Sequence, residues 1–398
     1  MSFLINLMRF CLVGIFLFTP HLNIFGYHLK SVYLLASLAG LQLFFQRDVN
    51  KHLVILCSVV CALVTIGFVF NATVSFEIIR QVIIFVVLFI FYGGLIKRSS
   101  FTQDIQGQLV NFIFLWLVLQ SFIIIVSATS ENFAEAFHSI FLLTERGDRY
   151  IGEDVLVHRY SGFAPSGFSI MSVYMALLTI FVDRVGLAKK AYTYRFSFFV
   201  LVLVALIFVG RSGLYLLATY IIIVSIKSNF KQGLLVSLIG IFLMSRMPEF
   251  SETMISSFKF AFELFLSGGT SYSTATIIEN ELFLPEPSFW GHGVLVRSEG
   301  GVESDLGWVK LLYCFGYAGT IVYFMTFTYL ISNGFRRAIM MSPMFLIVLA
   351  SFIIFNFKDL YFLASGYIQV VIVFYFFNRE KYGLRRIKNP IGFRNLWS

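Results

Sequence analysis

Apolar runs recur from one end of this chain to the other, separated by short polar joints. A helix that crosses a bilayer needs about 20 mostly apolar residues, fewer where flanking groups snorkel to the interface. That template predicts about twelve spans: 4–19, 31–45, 53–71, 81–96, 108–127, 167–182, 196–210, 212–226, 232–247, 306–331, 342–357 and 360–377. The neighbouring pairs 196–210/212–226 and 342–357/360–377 are close enough for each to be one broken unit. All seven prolines, from Pro20 to Pro390, fall at or near the ends of these runs, where they do not break a helix. Two long polar intervals interrupt the pattern, 128–166 and 248–305. Each contains an amphipathic piece at helical spacing: Phe133, Phe137, Ile140 and Phe141 in the first, and Ile255, Phe258, Phe262 and Phe265 in the second. Such stripes fit helices that lie on the membrane surface or fold over the bundle.

Composition agrees with the pattern. The 398 residues are 58% hydrophobic and 13% charged, about half the charge of a soluble domain. The expected fold class is therefore an all-α, polytopic membrane protein forming a single membrane domain over 1–398. The first span reads as retained and not as a cleaved signal, because no small-residue cleavage site follows it. The net charge of +9 changes the picture only through its position. With the basic tail 378–398 placed inside, alternation puts Arg47 and Lys51, Lys97 and Arg98, Arg184 to Arg195, Lys227 and Lys231, and Arg336 and Arg337 on the same side. Every inside joint then carries at least two positive residues, as the positive-inside rule asks. Both termini are expected in the cytoplasm, with 128–166 and 248–305 as two large periplasmic loops. The second loop holds nine acidic residues against Lys259 and Arg297. Basic joints that alternate in this way are an orientation signal, so nucleic acid is not an expected partner.

The candidate chemistry gathers at the outer side. His158-Arg159-Tyr160-Ser161-Gly162-Phe163 leads from the first loop into a helix, and Gly210-Arg211-Ser212-Gly213 joins two apolar runs. Gly291-His292-Gly293, Arg297 and Glu303-Ser304-Asp305-Leu306-Gly307-Trp308 end the second loop. Charge inside a bilayer is costly, so Arg159 and Arg211 either snorkel or line a ligand site. A guanidinium fork suits phosphate oxygens without a metal. Asp305 is either an N-cap or a general base for a substrate hydroxyl. Tyr160 and Trp308 are candidate sugar-stacking rings, against ordinary packing or interfacial roles. His158 and His292 are secondary candidates for substrate contact. No Walker A motif, GxGxxG, HExxH or Cys/His zinc spacing is present. Cys11, Cys57, Cys61 and Cys314 sit in apolar runs as packing residues. No metal or cofactor is expected.

At these residues the chain resembles the Wzy-type O-antigen polymerases and, more distantly, the O-antigen ligases. The likeness lies in the spans, the two outer loops, Arg159…Gly162-Phe163, Gly210-Arg211-Ser212-Gly213, Gly291-x-Gly293, Ser304-Asp305-x-Gly307 and Gly316-x-x-Gly319. Some members carry Gly eleven residues after an Arg in each loop; here Ile170 follows Arg159 and Trp308 follows Arg297 at that offset. Ligases place a His near the start of the helix after the long loop, where this chain has Asp305. The resemblance implies a GT-C-like membrane enzyme of the bacterial inner membrane, working on the periplasmic side. Its substrates would be oligosaccharides on undecaprenyl diphosphate, and its partners a flippase and a chain-length regulator. A lipid-linked oligosaccharide flippase, an O-antigen ligase and a glycan acyltransferase are the alternatives. Nearly charge-free spans disfavour transport, and His21, His28 and His52 form no acid–base constellation for acyl transfer.

Overall fold

The computed structural model describes residues 2–24, 27–45, 76–99, 105–141, 148–151, 155–158, 162–163, 168–187, 192–227, 289–292, 307–334 and 369–376, with isolated positions within 54–69 and 347–354. Those residues are mostly helical. The helices are α1 (Ser2–Phe18), α2 (Ser31–Phe45), α3 (Phe76–Ser99), α4 (Ile105–Thr129), α5 (Glu131–Ile140), α6 (Phe168–Val182), α7 (Tyr192–Val209), α8 (Arg211–Lys227) and α9 (Gly307–Gly334). A π-helical turn, Asp183–Leu187, extends α6. Among the described residues, three helical runs are long and apolar enough by length and composition to cross a membrane: Gly107–Thr129, Ile170–Leu187 and Gly307–Met325, the last of them kinked at Gly316. The spans expected at 53–71, 232–247, 342–357 and 360–377, the second amphipathic piece and the basic tail fall largely or wholly outside the described residues.

Two short antiparallel hairpins add to the all-α expectation. β1 (His21–Ile24) pairs with β2 (Tyr27–Lys30), and β3 (Asp148–Ile151) with β4 (Val155–His158). In the first, His21 lies opposite Lys30. Partial burial, and then the Lys30 charge, hold the His21 imidazole below its ordinary pKa and so favour its neutral form.

α6 is the centre of the bundle. Every residue from Met171 to Asp183 is buried, so this helix is apolar all round because it is enclosed all round. α8 lies closest to it, α4 packs on α7, and α2 on α3. On α3, Phe89 and Tyr92 meet Phe376 from the helical stretch 369–376, and Phe374 of that stretch reaches Phe181 on α6. α1 lays Gly14 against the Trp116 ring of α4, and the indole N–H donates to Phe10 O at 2.8 Å. The Tyr174 hydroxyl donates to Leu17 O at 2.8 Å, satisfying a carbonyl that the end of α1 leaves without a helical partner. Phe3, Leu4, Leu7, Met8, Tyr33, Leu41, Leu115 and Phe122 stay exposed, an apolar exterior suited to lipid.

α7 and α8 form a tight antiparallel hairpin. Only Gly210 separates them, and Phe199 and Tyr220, nearly equidistant from it, meet at 6.3 Å. The runs 196–210 and 212–226 are therefore two helices and not one broken one. α6 and α8 run parallel, since Ser172 and then Asp183 of α6 contact Gly213 and then Tyr220 of α8.

Candidate functional site

One end of the bundle gathers pieces of two predicted outward-facing segments, 128–166 and 210–213. Ser130 caps α5, its hydroxyl accepting from Phe133 N at 3.4 Å. α5 then lays Phe137 on Phe163, and Phe141, just past its end, on the same ring, while Glu135 and Ile140 face away. Thus the first amphipathic piece folds over the bundle, with Ile140 turned out of the buried stripe. Leu22 of β1 bridges to Phe141. Phe163 N–H donates to the buried Gln120 side chain of α4 at 3.0 Å. Gly162 precedes it at φ 60°, and a Cβ there would overlap the same amide.

Gly210-Arg211-Ser212-Gly213 reaches this end through α8. Gly213 N–H donates to Ser172 Oγ at 3.0 Å, and a Cβ on Gly213 would overlap the Ser172 backbone. The glycine is what allows α8 to start against the first turns of α6. Arg211 and Ser212 are buried there, Arg211 with 7% of its surface exposed. A cation at a helix N-terminus opposes the macrodipole, which favours anions at that position. A guanidinium beside the amide groups of a helix start is a place suited to phosphate oxygens.

The second locus is a break in α9. Gly316 adopts φ 63°, ψ −171°, a conformation open essentially only to glycine. The Trp308 and Phe324 rings nevertheless lie 6.2 Å apart. A straight helix would set those residues about 24 Å apart, beyond the reach of two side chains. The chain therefore folds back at Gly316, and the predicted span 306–331 is two arms, 307–315 and 317–334. The first arm, about 13 Å long, is too short to cross a bilayer.

Such a break removes helical partners, among them those of Tyr313 O and Ala318 N. In a continuous helix Tyr313 O would accept from Tyr317 N, and Ala318 N would donate to Cys314 O. Here Tyr313 O accepts from His292 N at 2.7 Å, and Ala318 N donates to Phe289 O at 3.1 Å. The four residues Phe289-Trp290-Gly291-His292 thus stand in for the missing turn. Gly291, at φ 75°, lies directly on Gly316; a Cβ on either would overlap the other's backbone nitrogen. Unwound backbone within a membrane protein needs such internal partners. Gly291→Ala and Gly316→Ala are each expected to lower stability by about 1–3 kcal/mol from backbone strain alone. The double variant should cost less than the sum, because either one already undocks the segment. Thermal unfolding in detergent reads both, and a wild-type midpoint for Gly316→Ala would mean that the segment is not held there.

The predicted site residues are placed as follows. Arg211 is buried at the start of α8. His292 is exposed, with its ring stacked on Tyr313 at 4.4 Å. Trp308 packs on Phe324, and its indole N–H reaches Ile353 O at 3.5 Å. His158 ends β4, with its backbone opposite Asp148. Arg159, Tyr160, Arg297 and Asp305 lie outside the described residues. Among the described residues, α9 reaches the common core through Leu311, Trp308, Phe315, Tyr323 and Phe324.

A third polar locus has no counterpart in the sequence analysis. Asp183, fully buried in the π-turn, accepts from Arg195 Nε at 2.8 Å and Nη2 at 2.9 Å, and from the Tyr220 hydroxyl at 2.7 Å. Arg184 sits over the Tyr220 ring at 5.3 Å. The available signal was a single acid closing an otherwise apolar run. In comparisons with protein-family models, with curated proteins and with solved structures, the chain finds no match.

Proposed function

We propose that this protein is a membrane glycosyltransferase that polymerises lipid-linked oligosaccharide repeat units for a surface polysaccharide of the O-antigen kind. The growing glycan on undecaprenyl diphosphate is the donor, and a repeat unit on a second undecaprenyl diphosphate is the acceptor. An acceptor hydroxyl oxygen forms the new bond to the donor's anomeric carbon. The bond from that carbon to the diphosphate oxygen breaks with its electron pair, and undecaprenyl diphosphate leaves. Asp305 takes the hydroxyl proton, and Arg211 and Arg159 hold the charge that develops on the leaving group. Arg297, Tyr160, His158 and His292 contact the sugars. The enzyme works at the periplasmic side of the bacterial inner membrane, after a flippase and beside a chain-length regulator.

The observation that carries this proposal is the burial of Arg211 at the start of α8, at the same end as the Gly162-Phe163 approach. A transported headgroup would need polar groups along its path, whereas this cation sits at one end of an apolar bundle. Deletion of the gene tests the proposal: surface polysaccharide on a gel should change from a ladder to a single step of one repeat unit. An unchanged ladder would remove the polymerase, and loss of every step would favour the flippase.

A further inference from the structure

We propose that the stacked His292–Tyr313 pair is a binding platform for a pyranose ring, which in the polymerase would seat the acceptor sugar. Its place in the reaction rests on the function proposed above; the binding itself does not.

The pair is built unlike its neighbours. Trp308, Phe315, Tyr323 and Phe324 on the same helix pack against the common core, whereas Tyr313 is not part of that packing. Instead the imidazole covers one face of the phenol ring at 4.4 Å and 26°, and His292 is itself exposed. Among the described residues neither the imidazole nitrogens nor the Tyr313 hydroxyl has a hydrogen-bond partner. Among the described residues, the exposed imidazole backed by the phenol ring thus offers an aromatic face bordered by donors and acceptors without partners. A pyranose matches that surface, because its axial C–H groups pack on a ring while its equatorial hydroxyls bond at the edge.

Position and rigidity support the same ligand. Tyr313 lies about 9 Å along α9 from Gly307. An exposed imidazole is costly against hydrocarbon, so this face of the pair is suited to a polar ligand and not to lipid tails. The backbone of His292 is fixed by its bond to Tyr313 O, and Phe289 O fixes the other end of the segment on Ala318. A platform held by backbone bonds loses little further freedom when a ligand arrives. Because the anchors are backbone groups, substitution of either side chain leaves them in place.

The test is saturation-transfer NMR on the full chain in nanodiscs, with a panel of methyl pyranosides at millimolar concentration. At least one should receive saturation at its ring C–H protons. His292→Ala and Tyr313→Ala should weaken binding about fivefold or more, the scale of a lost aromatic stacking partner. His292→Phe keeps the stack and should keep the transfer. No transfer from the wild-type chain, or wild-type binding by His292→Ala, overturns the platform. Equal loss in His292→Phe and His292→Ala also overturns it, by showing that stacking is not what binds. If this pair binds pyranosides while gene deletion leaves the surface ladder intact, the platform stands and the polymerase falls.

Discussion

Arg211→Ala is expected to collapse the surface polysaccharide to a single repeat unit while the protein accumulates at its normal level. Removal of one preorganised donor to a developing anion lowers a catalytic rate on the order of 10²–10³-fold. Chain growth multiplies that loss, since every added unit needs the same step. Arg211→Lys keeps the charge but loses the planar fork, and should give short chains in low yield. The residue is nearly buried, so misfolding is the competing explanation. An immunoblot of the membrane fraction separates the two, because the Gly213–Ser172 contact that seats α8 does not use the Arg211 side chain. Long chains of ordinary length in Arg211→Ala, at normal expression, would end the role given to this residue.

Asp183→Ala should be strongly destabilising, at about 3–5 kcal/mol, because it removes the buried carboxylate that takes two hydrogen bonds from Arg195 and one from the Tyr220 hydroxyl. Asp183 is the junction of α6, α7 and α8: the carboxylate lies on the π-turn after α6, the guanidinium at the start of α7, and the hydroxyl in the middle of α8. Tyr220→Phe removes one hydrogen bond to a charged acceptor and should cost about 1.5–3 kcal/mol. Thermal unfolding of the purified chain measures both. A double-mutant cycle between Asp183 and Tyr220 should show strong coupling, and independent effects would mean that the carboxylate does not hold the two helices together. This locus sits at the other end of α6 from Arg211, yet it bears on the site. It fixes α8 on α6 at one end as Gly213 on Ser172 fixes it at the other, and Arg211 is placed by both.

Among the described residues, the apolar pattern by itself located the helices. The predicted 31–45 is α2 at the same bounds, and α1, α4, α6, α7 and α8 differ from their predicted runs by a few residues at either end. A helix in a membrane satisfies its backbone within its own segment, so local sequence suffices to locate it. The stripe of Phe133, Phe137 and Phe141 was legible for a similar reason, because a helix turned on a bundle must bury one face. The Gly210 turn and the shared end of Gly162-Phe163 and Arg211 followed from counting crossings.

Tertiary structure alone decided the break in α9 and the role of Asp183. Gly316 lies in an apolar run that reads as one continuous helix, and a lone glycine there need not interrupt it. The interruption is held by a segment some 25 residues earlier, which supplies two hydrogen bonds in place of ones the break removes, an arrangement invisible to any local window. His292 then changes from a loop histidine into a ring fixed on Tyr313, a residue with no signal of its own in the sequence. Asp183 likewise reads as an isolated charge until Arg195 and Tyr220 are brought to it from 12 and 37 residues away. Hydrophobicity is a property of each residue, whereas the neutralisation of a buried charge and the repair of a broken helix are properties of partners distant in the chain.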